Sequence, residues 1–369
     1  MEDPKLYINS EDETVIALKE LYRRYGYKPY KMSKFEPYDL YVENKNFLIS
    51  DHVISFSDLG GKLMALRPDV TLSIIKSVKA SEETEKLFYR ENVYRTLKGS
   101  KEIREILQMG LECIGDIGVY ETCEVLLLAA KSLESIAGSY VIDISHMGFL
   151  SGLLSASGAD ASVSFEIISC IKEKNTHDIS KICRNSGISD ENAGRLCEAA
   201  SLWGTFEEVL PKLRAISVNA DTDAALEELE NVYALLKTAG CSEHFRIDFS
   251  VVHDIDYYDR IVFSGFIEGI PVNVLTGGRY DKLLKRFDSR SGAIGFAVYL
   301  GILTQYAKKD SGCDADIVLF YDGDTDMKAL MEAVRDFTEN DRAVAVYKKG
   351  SGHIGQEQYY VHGKELERI

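Results

Sequence analysis

Gln108, Gly110 and Glu112 occupy alternate positions of the segment REILQMGLECIG. In an extended strand alternate side chains share a face, so an amide, a gap and a carboxylate would stand in one row. Such a row can face a ligand, the amide donating and accepting and the carboxylate accepting. Further groups of the same kind stand nearby in the chain. Arg90 and Arg104 flank the row in the paired segments KLFYRENVYR and REILQMGLECIG, Tyr257 and Tyr258 end HDIDYY, and Gly277-Gly278-Arg279-Tyr280 forms a compact turn-like run. Each has a plainer reading as well. Alternation fits a solvated outer strand face equally well; Asp69 fits a helix cap, Tyr258 and Tyr280 fit core aromatics, and Glu112 fits a solvated strand residue.

The elements that would carry these residues follow from periodicity. Ser10-Glu11-Asp12-Glu13 reads as a capping box, followed by Val15, Leu18, Tyr22 and Tyr25 at helical spacing and Gly26 as the stop. Residues 60–66 read as a turn and strand, and Asp69 would cap a helix starting at Val70. KLFYRENVYR and REILQMGLECIG alternate with period two around the polar loop TLKGSKE, which predicts a long antiparallel hairpin. From about 155 to 240 the pattern turns helical, with polar breaks, and reads as an inserted module. Strands resume at FRIDFSVV, DRIVFSGFIEG and PVNVL, Gly277-Gly278 would open a helix around YDKLLKRF, and GAIGFAVYLGILTQY follows. One antiparallel sheet, split in sequence by helices, is the expectation. Residues 311–369 form a short α/β pattern of a size at which independent stability is marginal, so it needs the main body or another chain for support.

Composition narrows the function. A formal charge of -16 on 369 residues disfavours a general nucleic-acid surface, which rests on a basic face. No apolar run approaches the ~20 residues of a membrane span, and the N-terminus MEDPKLYINS has neither signal nor transit character, so a cytoplasmic location is expected. Seven cysteines (113, 123, 170, 183, 197, 241 and 313) form no C-x-x-C pair and read as reduced packing residues. Seven histidines are dispersed without ligand spacing, so no metal is expected.

Taken in order, LRPDVT, LFYRENVYR…REILQMGLECIG, HDIDYYDRIVFSGF, LTGGRYDKLL and GAIGFAVYLGIL resemble the catalytic domain of the histidyl-tRNA synthetases over roughly residues 5–310. The resemblance implies an α+β class II aminoacyl-tRNA synthetase-like fold, an antiparallel sheet flanked by helices. It implies a histidine-binding domain over 1–310, interrupted at about 155–240, and a truncated C-terminal α/β segment over 311–369. It also implies a site. Asp69, where the family has Glu, would receive the α-ammonium of histidine with Thr71 and Gln108, and Glu112, Tyr258 and Tyr280 would recognise the imidazole.

The catalytic positions depart from that family. His253 stands where its Arg stabilises the attack on ATP, Ile302 where another Arg holds the triphosphate, Tyr299 where a Gly belongs, and Glu102 at a usual Arg position. Arg90 is left as an ATP contact, and Arg90 and Arg104 as residual phosphate groups. Electrostatic stabilisation of phosphoryl charge is usually the largest catalytic term, so losing three cations removes the expectation of adenylate chemistry. A histidine pocket without ATP machinery, and without an anticodon-binding domain of full length, resembles the regulatory subunits of ATP phosphoribosyltransferase. By that resemblance the chain has no activity and no cofactor of its own. It would join a short-form catalytic subunit, as a homodimer within a hetero-octamer, activate it, and transmit feedback inhibition by L-histidine in histidine biosynthesis. The competing reading is a histidine–tRNA ligase or related amino-acid-activating enzyme, and a further one is a scaffold that binds no amino acid.

Overall fold

The computed structural model describes residues 11–44, 53–77, 84–96, 102–252, 258–285, 287, 292–306, 315–353 and 355–369. The chain divides into two units, Met1–Ala307 and Lys308–Ile369.

The first unit opens with α1 (Glu11–Arg24), which has three acidic residues in its first turn and two arginines in its last, as the helix dipole favours. It buries Val15, Leu18 and Tyr22 and stops at Gly26, whose φ of 83° suits glycine. Ser10, its expected cap, lies outside the described residues. After β1 (Lys28–Pro29), a small antiparallel sheet of β2 (Phe35–Pro37), β3 (Ser55–Ser57) and β4 (Leu63–Leu66) encloses α2 (Asp39–Glu43) in sequence. Next come α3 (Val70–Ser77), the hairpin β5 (Glu85–Thr96) and β6 (Ile103–Gly115), α4 (Val119–Ile136), β7 (Tyr140–His146) and α5 (Met147–Ser157). The helical stretch follows as α6 (Ala161–Lys172), α7 (Thr176–Asn185), α8 (Asp190–Ser201), the short β8 (Trp203–Gly204), α9 (Phe206–Ile216) and α10 (Ala220–Thr238). The chain then returns through β9 (Phe245–Asp248), β10 (Ile261–Ile267), β11 (Leu275–Arg279), α11 (Asp281–Lys285), β12 (Gly292–Tyr299) and α12 (Leu300–Tyr306).

Nine strands make one sheet in the order β1-β5-β6-β12-β11-β10-β7-β9-β8. Its centre, β5 to β7, is antiparallel throughout. The flanks are not: β1 runs parallel to β5 and β9 parallel to β7, so the sheet is mixed where alternation alone suggested antiparallel strands only. Two sequence expectations change within it. Gly277 and Gly278 lie inside β11 rather than opening a helix, and the strand drawn from PVNVL begins only at Leu275. The reason is packing: a Cβ on Gly277 would come 2.4 Å from the Phe263 ring and 2.5 Å from the Gly295 carbonyl oxygen, so these glycines are needed for close strand neighbours.

One sheet face is apolar. Met109, Leu111 and Cys113 of β6 join Leu126, Ala129 and Leu133 of α4 in the main core. The other face meets a smaller core in which Leu72 and Ile74 of α3, Tyr89 and Val93 of β5 and Leu283 of α11 pack together. Five helices of the inserted stretch begin with a side-chain cap, from Asp160, Asn175, Ser189, Thr205 and Asn219. Each cap contributes about 1 kcal/mol, which is why the polar breaks in the sequence mark helix starts. Glu228 ties α10 to the sheet: its buried carboxylate accepts from His146 Nε2 at 2.9 Å and Arg260 Nε at 2.8 Å, with Arg279 at 3.7 Å. Because the Phe149 amide donates to His146 Nδ1, the ring proton sits on Nε2 and points at Glu228. Burial alone would raise that carboxyl, but the contacts with His146 and Arg260 outweigh it and hold it below its ordinary range.

The second unit holds β13 (Ala315–Tyr321), α13 (Met327–Thr338), β14 (Val344–Lys348), β15 (Gly355–His362) and β16 (Glu365–Arg368), ordered β14-β13-β15-β16. β13 is parallel to both neighbours. Ile317, Leu319, Leu330 and Val361 form its core against α13. Among the described residues of the chain, no helix is long and apolar enough to cross a membrane, and no group of three His, Cys, Asp or Glu side chains is placed to hold a metal ion.

Candidate functional site

The register of three strands builds the floor of a pocket. Glu112 of β6 pairs with Gly295 of β12, which pairs with Gly278 of β11. Two residues along, Gly110 pairs with Ala297, which pairs with Thr276; two further, Gln108 pairs with Tyr299. Pairs and alternate residues share a face, so this polar row lies on the side away from Met109, Leu111 and Cys113. The glycines are obligatory. A Cβ on Gly295 would sit 1.8 Å from Glu112 Oε2, and one on Gly110 would sit 2.2 Å from the Phe296 carbonyl oxygen and 2.6 Å from the Tyr89 hydroxyl. Walls come from Asp69, Val70 and Thr71 at the start of α3, Tyr89 and Arg95 of β5, and Tyr258 and Tyr280. The space between these side chains, its open mouth included, is about 380 Å³.

Gln108 and Glu112 are 3 % and 2 % exposed, which removes the solvated-face reading. Glu112 Oε1 accepts from Thr71 Oγ1 at 2.6 Å, and Oε2 accepts from the Tyr280 hydroxyl. Burial pushes the Glu112 carboxyl up to about 8; the Thr71 and Tyr280 hydrogen bonds and the nearby Asp69 charge modify that rise. At neutral pH it therefore holds its proton. Burial likewise drives Tyr89 and Tyr258 well above the ordinary phenol range, so both remain neutral donors. Tyr258 and Tyr280 meet edge to face, ring centres 6.3 Å apart.

Asp69 does two things at once. Its Oδ1 accepts the Leu72 amide at 2.9 Å and caps α3, as the plainer sequence reading held, while Oδ2 faces Arg95 at 3.7 Å inside the pocket. Burial raises its carboxyl and Arg95 opposes the rise. Arg95, anchored by Nε donating to the Pro68 carbonyl at 2.7 Å, was not singled out from the sequence. Among the described residues it is the cation that lines the pocket.

Arg90 is the correction that accompanies it. Arg90 pairs with Met109 and therefore points to the opposite face of the sheet, where it meets Glu11 of α1 at 3.0 Å. Glu91, Val93 and Arg95 pair with Gln108, Ile106 and Arg104 and so share the pocket face. Hairpin register decides which arginine counts, and a one-residue change reverses every side chain. Arg104 stands on the pocket face but at its outer end, 47 % exposed and paired with Glu102 at 3.5 Å. Tyr299 lines the pocket with its hydroxyl 2.6 Å from Thr276 Oγ1. Ile302 does not line it; it packs half-buried against the main core. His253 and Tyr257 lie outside the described residues.

Among the described residues the arrangement offers one cation, two carboxylates, of which Glu112 is pushed up to about 8 by burial, and several phenols. A central antiparallel sheet carrying such a pocket on its polar face is the architecture of a class II aminoacyl-tRNA synthetase core. Residues 8–303 match the family described as Histidyl-tRNA synthetase, and the chain belongs to that family and, within it, to the ATP phosphoribosyltransferase regulatory subunits. It is 34 % identical over 301 residues to the ATP phosphoribosyltransferase regulatory subunit of Caldanaerobacter subterraneus subsp. tengcongensis, covering 79 % of this chain and 76 % of that one. The crystal structure of an ATP phosphoribosyltransferase regulatory subunit/histidyl-tRNA synthetase from Bacillus halodurans superposes with a TM-score of 0.78 at 24 % identity, over 99 % of both chains. A chain of the ATP phosphoribosyl transferase (HisG:HisZ) complex from Thermotoga maritima shares the fold, with a TM-score of 0.63 at 18 % identity over 79 % of this chain and 97 % of that one.

Proposed function

We propose that this chain is a non-catalytic regulatory subunit that activates a short-form ATP phosphoribosyltransferase catalytic subunit and makes the complex sensitive to L-histidine. The observation that carries the ligand is Glu112, buried and held between the Thr71 and Tyr280 hydroxyls in a pocket that Asp69 and Arg95 also line. A carboxyl that keeps its proton to about pH 8 can donate to an imidazole nitrogen or surrender its proton to it. Beyond that carboxyl, Asp69 suits the α-ammonium, with Gln108 and with Thr71, which lies between Asp69 and Glu112, as hydrogen-bond partners, and Arg95 suits the carboxylate. Tyr258 and Tyr280 close on the ring. Two carboxylates and one guanidinium thus complement a zwitterion with a basic ring, a match that a larger nucleotide would not make.

Regulation follows from linkage. An empty pocket would favour the active arrangement of the catalytic subunits and an occupied one a less active arrangement, by no more than the difference in histidine affinity between the two. The assembly would be a hetero-octamer built on dimers of this chain, in the cytoplasm. A histidine–tRNA ligase is disfavoured by Tyr299 standing in the pocket and by Arg90 facing away from it.

The test mixes the purified chain with the short-form catalytic subunit of the same organism and follows phosphoribosyl-ATP formation. Activation on mixing, reversed by L-histidine, is expected. No activation at saturating chain, together with histidine-dependent ATP–pyrophosphate exchange by the chain alone, would replace this function with the ligase.

A further inference from the structure

Of the three pocket-face positions on β12, two carry almost nothing and the third carries a ring. Gly295 and Ala297 form floor; Tyr299 stands at the far end, in register with Gln108. Its hydroxyl lies 2.6 Å from Thr276 Oγ1, and Thr276 pairs not with Tyr299 but with Ala297. The ring therefore leans back along the strand, across Ala297, toward the rung that carries Glu112. Alternate residues of a strand are about 7 Å apart, so the run left between the Glu112 rung and the tyrosine is about one amino acid long. Asp69 and Arg95 flank the same end, where a ligand's ammonium and carboxylate would lie.

We propose that Tyr299, latched to Thr276, is the end stop of the pocket and sets the length of its ligand: a free amino acid fits, and one extended through its carboxyl group does not. This rests on the histidine reading above and adds the residue that separates histidine from its peptides and carboxyl derivatives. The hydroxyl latch matters because an unlatched ring could rotate out over β11 and lengthen the run.

Titration calorimetry with L-histidine and L-histidylglycine, on the whole chain, tests it. The unaltered protein should bind histidine at least on the order of 100-fold more tightly than the dipeptide, as steric exclusion at a blocked end allows. Tyr299→Ala should cut that ratio to about tenfold or less by gaining dipeptide affinity. Thr276→Val, which removes the latch and keeps the ring, should cut it by a smaller factor and remains informative should Tyr299→Ala fold poorly. If histidine binds and either the unaltered protein takes the dipeptide equally well or both variants leave the ratio unchanged, the end stop is refuted while the histidine reading stands. If the unaltered protein binds no histidine, both fall together.

Discussion

Raising the pH should cost this protein stability through Glu112 more than through an ordinary glutamate. The group's folded value of about 8 lies above its unfolded value of 4.5, so the native state holds a proton that the unfolded chain releases. The contribution is fully present below pH 4.5 and is lost as pH rises through 8, with stability falling by about 1.4 kcal/mol per pH unit across the window. Over 3.5 units that is on the order of 5 kcal/mol, an upper figure for a buried carboxyl whose surroundings relax. Glu112→Gln keeps the shape and an acceptor for one hydroxyl but cannot ionise. Thermal unfolding of both proteins without ligand, at pH 5 to 9, should give a shallower slope for the variant. Asp69 also has a raised carboxyl, and Asp143 is raised to about 6 by burial, so the comparison is cleanest between pH 6.5 and 8. In the same window histidine affinity should peak. There the ligand ring is mostly neutral and Glu112 supplies the shared proton; above pH 8 affinity should fall up to tenfold per unit. The Glu112→Gln profile removes the part due to the ligand's own amine. Parallel stability slopes in the two proteins, or histidine affinities that differ by the same factor at every pH, would refute the assignment.

Other perturbations separate the parts of the site. Arg95→Lys should weaken histidine binding about tenfold or more through loss of the planar fork, while Arg90→Ala, on the opposite face, should leave calorimetric affinity within about twofold; the reverse pattern would mean that the hairpin register is wrong. Tyr280→Phe removes a hydroxyl that lowers the Glu112 carboxyl, so it should move the alkaline limb of the stability curve upward in pH and reduce histidine affinity by roughly tenfold. Gly295→Ala drives a methyl into Glu112 Oε2 and should lower stability by about 1–3 kcal/mol and abolish binding, read by melting and calorimetry. Glu228→Ala leaves His146 Nε2 without its acceptor and Arg260 without its anion, while Arg279 keeps Asp281, and should lower stability by about 1–3 kcal/mol, seen as a fall in melting temperature.

Much of this protein was legible in its linear order, because its devices are local. Period-two alternation in KLFYRENVYR and REILQMGLECIG is enough to mark β5 and β6, and the Asp69 cap is enough to start α3 at Val70, since a cap acts over three residues. The row Gln108, Gly110, Glu112 follows from strand geometry alone, and the departures at Tyr299 and Ile302 from the resemblance of GFAVYLGIL to the histidyl-tRNA synthetase motif. Register was out of reach. Whether Arg90 or Arg95 faces that row depends on how Thr96 meets Ile103 across the hairpin, and a single residue of slip exchanges them with no change in local pattern. Nor could periodicity tell that Gly277 and Gly278 belong to a strand, because what requires them is the ring of Phe263 and the carbonyl of Gly295 arriving from neighbouring strands. The protonated Glu112 belongs to the same class of fact. Its type and face are written in the chain, but its charge state is set by burial beneath Thr71 and Tyr280, 41 residues before it and 168 after, and desolvation exists only once those segments close over it.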